Sequence, residues 1–140
     1  MNQLHSRICA DVSSSTRAQL LRMFPPRFSQ VFCKSVTWAY RVTDEFEFSP
    51  LAADIKVYGH HQTDEHEALL VDLGGHRLRP DGKRLFLTLS TAHGVEPAKA
   101  GEIVERNIRK LDYKVIFTTQ LRRVPLWVQA PEIMAGLAAA

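Results

Sequence analysis

Leu85, Leu87 and Leu89 alternate with Phe86, Thr88 and Ser90 through the run Arg84–Thr91. A period of two fits a half-buried β-strand and no helix. A leucine face of this kind needs neighbouring strands and a cover, so this run constrains the rest of the chain more than any other. The alternation returns in Lys34–Val42, where Ser35, Thr37 and Ala39 are predicted on one face and Val36, Trp38 and Tyr40 on the other, with Trp38 in the core. Two strands carrying hydroxyl groups are therefore expected. Pro80-Asp81-Gly82 predicts a turn just before the second. Gly94 and Pro97 punctuate its exit, and Pro97 suits the first position of a helix over about 97–108.

The remaining chain fills in around these two strands. His5–Val12 reads as a first strand, with Ile8, Ala10 and Val12 on one face. Ser13–Thr16 offer N-caps to a short helix with an apolar stripe of Ala18, Leu20, Leu21 and Phe24, which Pro25-Pro26 ends. Residues 43–53 read as a loop. Residues 54–58 and 68–73 read as a hairpin whose polar tip, Gly59–Glu67, lies in solvent. Tyr113–Thr119 is a strand by composition, and Val124–Val128 extends the sheet at an edge because of Pro125. The tail from Pro131 has weak helical character. The order strand, helix, strand, hairpin, strand, helix, strand predicts one α+β domain over residues 1–140, two-lobed, with largely antiparallel sheets and outer helices around a central cleft.

Composition narrows the class. With 45% hydrophobic and 24% charged residues, the chain has the make-up of a soluble globular domain. A net charge of +3 and a pI near 9.1 permit a phosphate-bearing ligand without requiring one. Cys9 and Cys33 sit in apolar runs without metal or redox spacing and read as buried free thiols. The N-terminus lacks the apolar stretch of a secretory signal, and no apolar run reaches the roughly 18 residues of a membrane span. A cytoplasmic protein is expected.

The runs Ser35-Val-Thr-Trp-Ala-Tyr-Arg and Leu85-Phe-Leu-Thr-Leu-Ser-Thr-Ala-His-Gly-Val-Glu-Pro, with the order of elements, resemble the two-histidine phosphoesterase superfamily, especially the cyclic phosphodiesterases associated with RNA ligases. The resemblance covers roughly Val31 to Phe117, and Leu87 to Pro97 is its most specific part. It implies a His-x-Thr on each of two central strands facing one cleft. One histidine accepts a proton, the other donates one to the leaving oxygen, and the threonines hold the phosphate. No cofactor is implied. The implied partners are 2′,3′-cyclic phosphate ends of RNA or small nucleotides, and an RNA-ligase assembly.

Both threonines of the resembled motif are present, as Thr37 and Thr88, but Ser35 and Phe86 stand where the histidines would be. Each acid or base typically contributes roughly a hundred- to ten-thousand-fold, so losing both removes most activity of that type. Either another group supplies the proton, or the chain is a non-catalytic module that retains the fold and binds a nucleotide, an RNA end or a protein. His93, just past the second hydroxyl strand, is the candidate substitute. His61-Gln62-Thr63 spells the motif but lies in the polar tip. His60, His61 and His66 with Asp64, Glu65 and Glu67 are donor types that suit a metal, but their spacing matches no closed site. Tyr40 and Arg41 are candidates to stack on or pair with a nucleotide. Arg122 and Arg123 beside Leu126 and Trp127 make a basic-aromatic patch of the kind RNA contacts.

Overall fold

The computed structural model describes residues 5–49, 52–96 and 103–126. In chain order its elements are β1 (His5–Asp11), α1 (Ser14–Met23), β2 (Gln30–Val31), β3 (Ser35–Val42), β4 (Ala52–Gln62), β5 (His66–Leu73), β6 (Phe86–Thr91), a single 3-10 turn (Glu105–Asn107) and β7 (Ile108–Leu126). The strands form one sheet in the order β2-β6-β5-β4-β7-β1-β3, with every pairing antiparallel.

Local chemistry sets the helix. The Ser13 hydroxyl accepts the Thr16 backbone N–H at 3.2 Å, and the chain leaves the helix at Phe24, just before Pro25. Leu20 and Phe24 are buried in the core, Leu21 is partly buried against it, and Ala18 is exposed.

The sheet closes on itself through the connection between β2 and β3. Gln30 and Val31 pair with β6, and the amides of Phe32 and Cys33 donate to Leu89 and Thr88 of the same strand. One residue later Lys34 accepts the Val12 N–H, and β3 then pairs with β1. A single stretch of chain thus joins the two ends of the sheet. Cys33 makes the corner with φ of 57°, a strained value for a residue with a Cβ. Arg17 of α1 holds it there through a 2.8 Å hydrogen bond to the Phe32 carbonyl. The core enclosed this way takes Leu20 and Phe24 from the helix, Val36 from β3, Leu69 from β5, and Leu85, Leu87 and Leu89 beside and along β6. Burying each such leucine contributes about 2 kcal/mol.

The expected α+β layout with outer helices is overturned. The chain is mostly antiparallel sheet, and α1 is the one α-helix among the described residues. Of the helix expected over 97–108, residues 97–102 lie outside the described residues. Val104 is extended and leads through the 3-10 turn into β7. Ile103, Val104 and Ile108 are β-branched and favour extended backbone. Ile108 also packs into the space left by Gly59, where an added Cβ would meet its Cγ2 at 3.2 Å. The expected hairpin loop is shorter than read, because β4 and β5 run to Gln62 and from His66. β7 pairs with β4 as far as Gln120 and with β1 beyond it. Pro125 falls in that second part, opposite Ser6 and past the end of the β4 pairing, where a missing donor is tolerated. No helix among the described residues is long and apolar enough to cross a membrane. The tail from Pro131 and Trp127 lie outside the described residues.

Candidate functional site

The two hydroxyl strands come out differently. On β3, Ser35 pairs with Asp11 and Thr37 with Cys9, and both side chains are half-buried. Among the described residues, no side-chain hydrogen bond reaches either. Ile8 pairs with Ala39 and Cys9 with Thr37, so Trp38 is an extra residue and the alternation slips there. As a result Ala39 is buried while Tyr40 is 45% exposed, and Trp38 lies half-buried with its ring edge toward His76. The shared face expected for Ser35, Thr37 and Ala39 breaks at this bulge.

On β6, Leu85, Leu87 and Leu89 enter the core as expected. Phe86 and Thr88 sit on the other face beside His66 of β5. The His66 Nε2 lies 3.2 Å from the Thr88 hydroxyl, and the Phe86 ring stands edge-on to the imidazole at 5.9 Å. Thr88 is only 8% exposed. Ala68 pairs with Thr88 and Glu67 with Ser90, so Leu89 is a second extra residue. Ser90 therefore leaves the face of Phe86 and Thr88, and its hydroxyl donates to Glu67 at 2.8 Å.

The expected solvated tip is the most polar part of the interior. Only Thr63–Glu65 make the turn, with the Thr63 hydroxyl accepting the Glu65 and His66 amides. His60, His61, His66 and Glu67 are all buried. One oxygen of Glu67 accepts the Ser90 hydroxyl and the Arg27 backbone N–H at 3.0 Å, and the other lies 2.9 Å from His60 Nε2. Ser90 also accepts the Phe28 N–H, and Phe24 stacks on the His60 ring. Burial alone would raise the Glu67 pKa, but the hydrogen bonds from His60, Arg27 and Ser90 outweigh it and keep the carboxyl below its usual range.

His61 accepts the Val104 backbone N–H at Nε2, 3.0 Å away, so its neutral ring carries the proton on Nδ1, which has no partner. Burial, then the neighbouring His60, lowers its pKa. Burial also pushes His66 down to about 4, with His61 adding to the effect and Glu67 opposing it. Among the described residues no three His, Cys, Asp or Glu side chains converge as a metal site. No family model, curated protein or solved structure matches this chain.

The other candidates fall into structural roles. His93 is exposed in the turn that Gln30 pins through Thr91, Ala92 and Val95, where Gly94 takes φ of 83°. Arg123 donates to the carbonyls of Thr43 and Phe46 and lies over the Phe48 ring, so it organises the 43–48 loop. Arg122 pairs with Asp11. Both cysteines are buried and free, and burial pushes Cys33 up to about 11.

An open pocket of about 360 Å³ lies at the hairpin turn, lined by Arg27, Gln62, Thr63, Asp64 and Asn107. The Gln62 amide oxygen, turned toward Arg27, accepts from its Nε at 2.8 Å. Sequence reasoning passed over Arg27. Its only local signal is a cation beside an aromatic residue directly after Pro25-Pro26.

The Thr88 contact yields one prediction. Thr88→Val keeps the shape but leaves the buried His66 Nε2 unpaired, and is expected to destabilise the chain by about 1–2 kcal/mol. Thr37→Val, which breaks no such bond, is expected to stay within about 0.5 kcal/mol of wild type. Urea denaturation of both variants measures the difference.

Proposed function

We propose that the chain is a degenerate two-histidine phosphoesterase-like protein that binds phosphate-bearing nucleotides or RNA ends, including 2′,3′-cyclic phosphates, without hydrolysing them. The surroundings of Thr88 carry the non-catalytic part of this reading. Phe86 offers no proton. His66, the imidazole beside Thr88, is 2% exposed and has a pKa lowered to about 4, so it is neutral and out of a substrate's reach at pH 7. His93 is exposed in a turn and has no partner to orient or activate it among the described residues. A role beside an RNA-joining enzyme is the partner class this reading implies.

Incubation with a 2′,3′-cyclic nucleotide, followed by chromatography, tests the reading. No 2′- or 3′-monophosphate is expected above the protein-free blank. Turnover that disappears in His93→Ala would instead establish an enzyme with a substitute acid or base.

A further inference from the structure

We propose that the pocket lined by Arg27, Gln62, Thr63, Asp64 and Asn107 holds a terminal ribose phosphate, with Arg27 on the phosphate and Asp64 on a ribose hydroxyl. The proposal rests on the phosphate-binding reading above and gives that reading a location, away from Thr37 and Thr88. At about 360 Å³ the pocket lies within the usual range for small-ligand sites.

Arg27 is exposed, and among the described residues no carboxylate pairs with its guanidinium. Gln62 engages one edge of the group, and the remaining N–H donors form the planar fork that suits a phosphate. Asp64 can only accept when ionised, so a fitting ligand carries a donor as well as an anion. A ribose phosphate has both.

The buried network explains why this arginine is positioned so firmly. A buried carboxylate is unfavourable unless its oxygens are engaged. Glu67 meets that condition by taking the Arg27 backbone N–H directly and the Ser90 hydroxyl, which in turn takes the Phe28 N–H. The loop that presents Arg27 is thus fixed from the interior before any ligand arrives, which reduces the ordering entropy lost on binding.

Because Glu67 grips the backbone and not the side chain of Arg27, Arg27→Ala leaves the anchoring network in place. The full-length chain is titrated by calorimetry at low salt with uridine 3′-monophosphate, uridine 2′,3′-cyclic phosphate and uridine. Both phosphates are expected to bind and uridine is not. Arg27→Ala is expected to weaken phosphate binding about tenfold or more, with Arg27→Lys in between, and with an unfolding curve matching wild type. Phosphate binding that Arg27→Ala leaves unchanged would overturn the pocket assignment while leaving the binding reading intact. No phosphate binding by wild type would overturn both.

Discussion

Replacing Glu67 by alanine is expected to lower the unfolding free energy by about 3 kcal/mol, because removing the shared acceptor of a largely buried hydrogen-bond network leaves several groups unpaired at once. Glu67 accepts from Ser90 and from the Arg27 backbone, lies 2.9 Å from His60 Nε2, and is 3% exposed. Truncation leaves all three groups without this acceptor, and the His60 and Ser90 contacts are buried. Glu67→Gln keeps an acceptor of the same shape and is expected to lose less. Urea denaturation measures the size of the effect, and amide exchange at Arg27 and Phe28 locates it. A change under about 1 kcal/mol in Glu67→Ala, with exchange unaltered, would mean the loop is held by something else.

The second large effect is acid sensitivity. In the unfolded chain His66 titrates near its ordinary value of 6.5, whereas in the folded chain its pKa is about 4. Between those values the unfolded state binds the extra proton, so stability is complete above pH 6.5 and falls as pH drops toward 4. The shift corresponds to about 3 kcal/mol from His66. His61 contributes in the same direction, and its protonation also turns the Nε2 that accepts the Val104 amide into a donor. Glu67, whose pKa is lowered on folding, adds a further loss once pH falls below its unfolded value of about 4.5 and through its folded one. Chemical denaturation across pH 7.5 to 4 is expected to show this decline, and His66→Gln is expected to flatten it. A wild-type stability independent of pH over that range would contradict the neutral, buried state of His66.

Much of the sheet was legible because alternation is a local signal. Leu85, Leu87 and Leu89 announced a core strand, and Ser13 and Pro25 bracketed α1 correctly. Register shifts limited the pattern. At Trp38 and Leu89, for example, one extra residue changes which side chains share a face, and only the partner strand's register shows it. The polar tip failed for a different reason. Imidazole and carboxylate side chains at 60–67 read as solvated unless their partners are known, and the partners of Glu67 are Arg27, 40 residues away, and Ser90, 23 residues away. Within the described residues 103–108, the expected helix is replaced by a 3-10 turn and the start of β7, partly because Ile108 fills the gap at Gly59, a contact no sequence window contains. Thr37, Thr88, Ser35 and Phe86 could be read as strand positions, but none of them lines the pocket at the hairpin turn, where the fold alone brings Arg27 to Gln62 and Asn107.

The central claim, binding of a nucleotide phosphate without turnover, is tested most directly by phosphorus-31 NMR of a 2′,3′-cyclic nucleotide titrated with the protein at pH 7. The account predicts that the cyclic phosphate resonance shifts or broadens as protein is added and that no monophosphate resonance grows in over hours. A monophosphate signal growing in proportion to protein would contradict it by showing catalysis, and a cyclic resonance unmoved by excess protein would contradict it by showing no binding.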